Sequence, residues 1–541
     1  FTGESIPACE YPKGADNRYL YLGSFWIGAV VGRDTLVSCA STGWENWESC
    51  EYVPDLIGSS GIIRRSLIAT EPTLREGAIS EEDYIMVYCD TATEGVDPDY
   101  FGRQHVPLNI EITQRSYAWS YAYAEDFVLF DYTIHNIGYQ RLEQVFMGLY
   151  VDGDVHFGPD GFLFNGAHDD LCGFTHAVPG EYGGCQFLDT LNIAWIADND
   201  GDPDGSEYGV MSVPGVTASR LVRTPNDSLN ISFNWWIAND NSALDFGPRE
   251  RPWMGEWQED FRDFGTGGLG TPSGDRNKYY MLRNREFDYD QALTATISVA
   301  DSLWLPPPAE DAGMYAQGFD TRYLLSFGPF DIDPGERLPV SFAYVAGENF
   351  HQDPNDIAFL PGDPTSFYNS LDFSDLALNS IWAGRIYDNP GVDTDGDGYA
   401  GKVRVCCDDT LAYGLDNILD TTTIPNFSST DCELIWYEGD GVPDFRGASP
   451  PPAPDFSLHP SVGSIRVRIH GQYSEAAVDV FTGYADFEGY RVYVGRDDRE
   501  SSYSLLASYD RDDYDKYTWT GNEYKILDVP FTLDSLRCLY G

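Results

Sequence analysis

Apolar runs in this chain end in aspartates, and the pattern recurs along its length. Val145–Val151 leads into Asp152-Gly153-Asp154, and Ile193-Ala194-Trp195-Ile196 leads into Asp198-Asn199-Asp200-Gly201-Asp202. Asp393-Thr394-Asp395-Gly396-Asp397-Gly398 is the densest case, and Glu438-Gly439-Asp440-Gly441-Val442-Pro443-Asp444 is a fourth. Aspartate bonds back to its own backbone in turns, and glycine reaches the left-handed conformations that turns demand. A chain punctuated this way folds into short strands joined by acidic turns. Alternate carboxylates on a glycine-bent loop also converge on a hard cation, and Ca²⁺ takes about six to eight oxygens in such loops. The expected ligands are Asp393, Asp395 and Asp397; Asp198, Asp200 and Asp202; Asp152 and Asp154, with Asp169 and Asp170 beside them; and Asp440 and Asp444.

The periodic segments between these turns read as strands. Val128, Phe130, Tyr132 and Ile134 alternate onto one face, and Val340–Val345 alternates likewise. Phe25–Val31 and Thr35–Cys39 flank Gly32-Arg33-Asp34 as a hairpin. Phe373–Tyr387 is the exception: Leu376, Ser380, Ala383 and Tyr387 fall at helical spacing, and Asn389-Pro390-Gly391 supplies the stop. The composition breaks at Pro450-Pro451-Pro452-Ala453-Pro454, a stiff linker. The fold expected is mainly β and multi-domain: a large strand-rich body over 1–388, a calcium- and cysteine-bearing connector over 389–447, and a hinge with a β-sandwich module over 448–541.

With 541 residues and a formal net charge of −54, the chain is unsuited to a nucleic-acid partner, which needs clustered lysine and arginine. No apolar run reaches the roughly 18 residues that span a bilayer. The chain begins at Phe1, so a leader has been removed or the sequence is partial. Ten cysteines without a C-x₂-C spacing favour disulfides in an oxidising compartment over a zinc ribbon. The short spacings predict Cys39–Cys50 and Cys172–Cys185, and a bridge from Cys406 or Cys407 to Cys432.

The segments DTDGDG (393–398) and EGDGVPD (438–444) resemble the calcium loops of thrombospondin type 3 repeats and dockerins. GDRNKYYMLRNREFDYDQ (274–291) and LLSFGPFDIDPGERLPVSFAYVAGE (324–348) resemble stretches of large secreted bacterial surface proteins. After the linker, Ile465, Val467 and Ile469 alternate with Arg466, Arg468 and His470, and GYRVYVG (489–495) resembles the third strand of a fibronectin type III module. The resemblance implies an extracellular location and bound Ca²⁺, and covers about a third of the chain. The sequence departs from a full calcium hand, which closes with glutamate at loop position twelve; that position is Arg404 here, so the loop is either thrombospondin-like or closed by distant ligands such as Asp408 and Asp409. About 87 residues follow the linker, against roughly 100 in such a module, so a last strand or two is expected to be missing.

Catalytic motifs are scarce. Gly265–Gly270 matches G-x-G-x-x-G but neither follows an apolar strand nor opens a helix. His168, Cys172 and His176, with His156, are spaced for one helix face, but Gly173, Pro179 and Gly180 oppose a helix. Glu256 and Glu259 among Trp253, Trp257 and Phe261 are the most sugar-site-like carboxylates. The sequence therefore leads to the expectation of a structural subunit of an extracellular assembly that self-associates into a homopolymer or lattice, without membrane insertion. A secreted carbohydrate-active or glycan-binding protein is the alternative.

Overall fold

The structure, a computed structural model, describes residues 9–42, 51–54, 61–69, 71–96, 98, 102–158, 169–182, 185–202, 212–225, 230–238, 246–247, 271–272, 274–298, 307, 309–407, 410–414, 432–447, 454–477, 487, 489–495, 504–510, 517–519 and 524–526. The molecule is mainly β and divides into two compact units, 1–445 and 446–541.

The long strands that build the two main sheets of the first unit are β1 (Leu22–Val31), β2 (Asp34–Cys39), β3 (Glu82–Cys89), β4 (Ile110–Ala118), β5 (Phe127–Asn136), β6 (Leu142–Asp152), β7 (Leu171–Tyr182), β8 (Cys185–Ala197), β9 (Val216–Arg223), β10 (Asn230–Ile237), β11 (Thr321–Ile332) and β12 (Arg337–Gly347). They form two antiparallel sheets. The smaller runs β10-β11-β6-β1-β2. The larger runs β7-β8-β9-β12-β5-β4-β3, and the short strands Val53–Pro54 and Ile62–Arg65 both pair with β3. The expected hairpin is β1–β2, with Val31 opposite Asp34 and Gly32 at φ +65° in the turn. A two-residue hairpin turn with positive φ at its first position alone is of the II′ kind, and glycine adopts that φ without a Cβ penalty.

The two sheets face each other. Phe25 and Ile27 of β1, Val145 and Met147 of β6, Ile110 and Ile112 of β4, Tyr132 and Ile134 of β5, and Val340 and Phe342 of β12 fill the layer between them. β1 is apolar on both faces because its outer face is covered too. Trp26 points away from the interlayer core into a second cluster with Tyr150, Trp236 and Leu324, under helix α1 (Asp275–Arg283). Leaving water contributes about 1.5–3 kcal/mol for each fully buried large apolar side chain. Gly28 and Gly148 make the notch into which this helix fits. A Cβ at either would lie 2.8–2.9 Å from Leu282 Cδ atoms. Helix α2 (Ser374–Tyr387) occupies the predicted span and packs against β12, β9 and β5. Asn389 Nδ2 donates to the Arg385 carbonyl, 2.7 Å, and Pro390 cannot continue the helix.

After this helix, β13 (Val403–Cys407) lies between β14 (Thr410–Gly414) and β15 (Cys432–Trp436). A disulfide joins Cys185, at the tip of the β7–β8 hairpin, to Cys406 on β13. This overturns the expected Cys172–Cys185 bridge. In the register of that hairpin Cys172 lies opposite Ile196 and Cys185 opposite Tyr182, so the two cysteines sit at opposite ends of a long ladder. At about 3.3 Å per residue, no disulfide spans it. Cys406 is thereby unavailable to Cys432. Cys407 lies opposite Cys432 in the β13–β15 register; their side chains fall outside the described residues. Cys39 and Cys172 are buried free thiols, and Cys50 is outside the described residues. Arg404 strengthens the same docking: its Nη1 donates to Asp189 Oδ1 at 2.8 Å, and its guanidinium lies over the Phe187 and Tyr437 rings.

Among its described residues the second unit holds three two-stranded antiparallel ladders: β16 (Asp455–Ser461) with β17 (Ser464–His470), β18 (Gly489–Val494) with β19 (Ser504–Asp510), and β20 (Tyr517–Trp519) with β21 (Tyr524–Ile526). Ile465 and Val467 on β17 are exposed. Among the described residues no helix is long and apolar enough to cross a membrane. The Gly265–Gly270 run and Glu256 and Glu259 lie outside the described residues, as do Asp408, Asp409 and His168. Cys172 and His176 sit on strand β7, and His176 Nδ1 meets Asn192 Oδ1 at 2.6 Å, so the helical zinc face does not form.

Candidate cation sites

Antiparallel pairing carries several acidic strand ends to one end of the sandwich. Asp152 closes β6 opposite Arg322, the second residue of β11, and Ala197 closes β8 opposite Leu171, the first residue of β7. Asp170 and Asp320 stand just before their strands, and Asp198–Asp202 follow β8. The groups meet across the two sheets: the Val155 N–H donates to Asp170 Oδ1 at 3.2 Å, and the Cys172 thiol lies 3.7 Å from the Thr321 hydroxyl. Two acidic clusters that are separate in sequence, 152–154 and 198–202, thus become neighbours, with Asp169 and Asp170 between them.

This cluster is sealed. Asp152, Asp154, Asp170, Asp198, Asp200, Asp202 and Asp320 are each no more than 6% exposed, and Asp169 is half-buried. One guanidinium serves them: Arg322 Nε is 3.1 Å from Asp152 Oδ1, and its Nη1 is 2.8 Å from Asp320 Oδ1. The remaining charge is offset in part by backbone donors. The Val213 N–H bonds Asp198 Oδ2 at 3.1 Å, and the Asp202 N–H bonds Asp200 Oδ1 at 2.9 Å. Oδ1 of Asp169 and Oδ1 of Asn199 are buried with no hydrogen-bond partner.

Burial, reinforced by mutual repulsion, drives these carboxyls upward in pKa. Asp152 and Asp169 are pushed up to about 7, and Asp320 to about 6, chiefly by desolvation. Asp154, Asp170 and Asp198 are raised well above the ordinary carboxylate range by desolvation. For Asp170 the neighbours Asp169, Asp154, Asp198 and Asp320 add to it. Buried anions with one countercharge must bind protons or a cation. His351 locks the Asp198 loop from outside, its Nδ1 2.7 Å from Asp356 Oδ2 and its Nε2 3.0 Å from the Asp198 carbonyl. A Cβ on Gly201 would lie 2.5 Å from the His351 Cβ, so glycine is the residue that lets the loop close.

The second centre lies on the surface, where the 393–398 loop meets the 440–444 loop. Among the described residues, Asp393, Asp395 and Asp440 are the only group of three or more potential metal-ligating side chains whose ligand atoms all lie within 4.8 Å of one another. The buried cluster is more spread out. Asp393 shapes its loop by accepting from the Gly396 and Gly398 N–H groups, 2.8 and 2.9 Å. Asp397 turns to the Tyr399 N–H at 2.8 Å and is not in the trio. Asp444 pins the loops together, accepting from the Thr394 hydroxyl at 2.9 Å and from the Asn389 N–H at 2.9 Å. Asp388 completes the wall: its Oδ2 accepts from the Gly441 N–H at 2.7 Å, its Oδ1 is buried without a partner, and burial lifts it to about 7.

Asp320, Arg322, His351, Asp356 and Asp388 escaped the sequence reading. Asp320 and Asp388 carry a usable signal: the first directly precedes an apolar strand and the second directly follows the helix. Partners from the far side of a sheet leave no local trace. No protein-family model matches the chain, and comparison with curated proteins finds no match.

Proposed function

We propose that this chain is a structural subunit of an extracellular surface assembly, such as a filament, sheath or surface layer, stiffened by Ca²⁺ and by disulfides. The observation that carries the reading is the sealed carboxylate cluster, with residues no more than 6% exposed drawn from strand ends of both sheets. A site closed to solvent has no room for a substrate. A cation held there serves the fold by replacing repulsion between strand ends with shared coordination. The surface trio of Asp393, Asp395 and Asp440 is the second proposed Ca²⁺ position, with Asp388 beside it. The Cys185–Cys406 bond supports an oxidising compartment.

The test is a thermal melt of the full chain in Ca²⁺ and in chelator at matched ionic strength, with negative-stain microscopy of both samples. Each site filled at a hundredfold excess over Kd contributes about 2.7 kcal/mol. Equal melting temperatures would remove calcium from the reading. A protein that stays monomeric at high concentration with Ca²⁺ would remove the assembly.

One surface favours the carbohydrate-active alternative. Tyr121 and Tyr123 stack at 5.5 Å with 9° between planes, and the Trp382 ring of α2 is 4.8 Å from Tyr123. One turn back on the helix, Asn379 Nδ2 lies 3.3 Å from Asp375 Oδ2 and 3.5 Å from Asp126 Oδ2. Burial, with Asp375 and other acids adding, lifts Asp126 to about 6, a range suited to a general acid. Hydrolysis of a glycan panel by wild type and not by Asp126→Asn would turn the reading toward an enzyme.

A further inference from the structure

Away from the acidic clusters, the edge strand β2 meets helix α1 through a buried cysteine–lysine pair. Cys39 Sγ accepts a hydrogen bond from Lys278 Nζ at 3.3 Å and donates one to Glu51 Oε2 at 3.3 Å. Glu51 Oε2 also accepts from the Cys39 N–H at 2.7 Å, and Glu51 Oε1 lies 3.3 Å from His105 Nδ1. The His105 Nε2 faces the Asp90 carbonyl at 2.9 Å, which holds the ring in place. Cys39, Lys278 and Glu51 are each no more than 5% exposed.

Lys278 is buried with the acidic groups of Glu51 and Asp275 coupled to its charge, and its amine points at the sulfur. The amine and the sulfur face each other at hydrogen-bonding distance, and the Glu51 carboxylate accepts from the thiol and is drawn to the amine's charge.

We propose that Cys39 and Lys278 are a cross-linking pair, joined by dioxygen through a single oxygen atom as Nζ–O–Sγ. The step balances as amine plus thiol plus O₂ giving the N–O–S bridge and one water. One N–H and the S–H bond break, the O–O bond breaks, and N–O and O–S bonds form. Nitrogen and sulfur each give up two electrons, and dioxygen takes all four. One of its oxygen atoms enters the bridge. The other leaves as water with the two hydrogens. Lys278 must lose its extra proton first, and Glu51, bonded to the thiol and electrostatically coupled to Lys278, is the group to which the proton passes. Desolvation raises the Cys39 thiol pKa, so sulfur begins as the neutral thiol. The bridge would tie β2 to the helix that roofs the smaller sheet, between residues 239 positions apart in sequence. Thiol reductants would open it, returning amine, thiol and water.

The experiment is peptide mass mapping of the full chain purified in air without reductant, against the same chain kept anaerobic. The expected result is one species holding the Cys39 and Lys278 peptides together, heavier than their sum by about 14 Da for one oxygen gained and two hydrogens lost. It should vanish with reductant, in the anaerobic sample, and in Lys278→Arg and Cys39→Ser. Quantitative alkylation of Cys39 in the aerobic protein after denaturation would overturn the proposal. So would recovery of Cys39 in a disulfide with Cys50, or as a sulfinic or sulfonic acid. The wild-type measurement decides the matter even where a variant fails to fold.

Discussion

Replacing both Cys185 and Cys406 by alanine should destabilise the first unit by several kilocalories per mole while leaving its sheets intact. The bond closes a loop between residues 221 apart in sequence. A cross-link over that span removes about 18 cal/mol/K from the unfolded chain, which is about 5 kcal/mol at 25 °C. A unit of 445 residues unfolds with about 0.9 kcal/mol/K of entropy near its midpoint, so the melting temperature should fall by about 6 °C. The loss is confined to the unfolded state because the docking does not depend on sulfur alone. Arg404 keeps its bond to Asp189 and its place between Phe187 and Tyr437. The assay is calorimetry of the oxidised wild type, the reduced wild type and the double variant, with circular dichroism for sheet content. The two reduced or thiol-free forms should melt together, below the oxidised protein. A double variant that melts within a degree of the oxidised wild type would refute the loop-entropy argument. A collapse of sheet content at room temperature would refute the claim that Arg404 and its aromatic partners hold the contact.

The buried acids should give the cation-free protein an inverted pH dependence. Asp152 and Asp169 have folded pKa values near 7, above the ordinary 3.8, so the folded state binds more protons across that window. Stability is then greatest near pH 4 and declines toward pH 7, by about 1.4 kcal/mol per pH unit for each uncompensated carboxylate; denaturant melts in chelator should show this slope, and Ca²⁺ should flatten it. Arg322→Met removes the one guanidinium from Asp152 and Asp320 and should cost about 3–5 kcal/mol at pH 7.5, with less lost at pH 5, as read by urea unfolding. Gly148→Ala drives a Cβ to within 2.8 Å of Leu282 and should cost about 1–3 kcal/mol, with near-ultraviolet dichroism reporting a shifted α1 through Tyr279 and Trp26.

Local pattern alone determined the strand-rich character, the β1–β2 hairpin and the α2 helix with its stop, because these depend on side-chain alternation, helical spacing and turn chemistry within a few residues. It also marked most of the aspartates that gather at the strand ends, Asp320 excepted, since acids that follow apolar runs are visible without knowing where the strands go. Their grouping was decided by tertiary structure. Asp152, Asp170, Asp198 and Asp320 are far apart in sequence and meet because antiparallel ladders bring the ends of β6, β7, β8 and β11 to one edge. Asp440 joins Asp393 and Asp395, and Asp397 does not, because Asp397 is held by the Tyr399 N–H. Cysteine spacing misled for the same reason: Cys172 and Cys185 are close in sequence but lie at opposite ends of one hairpin, while Cys406 arrives from a distant strand. A short stretch of sequence encodes φ, ψ and side-chain period; which strand lies beside which depends on burying both faces of the smaller sheet at once, and that condition belongs to the whole chain.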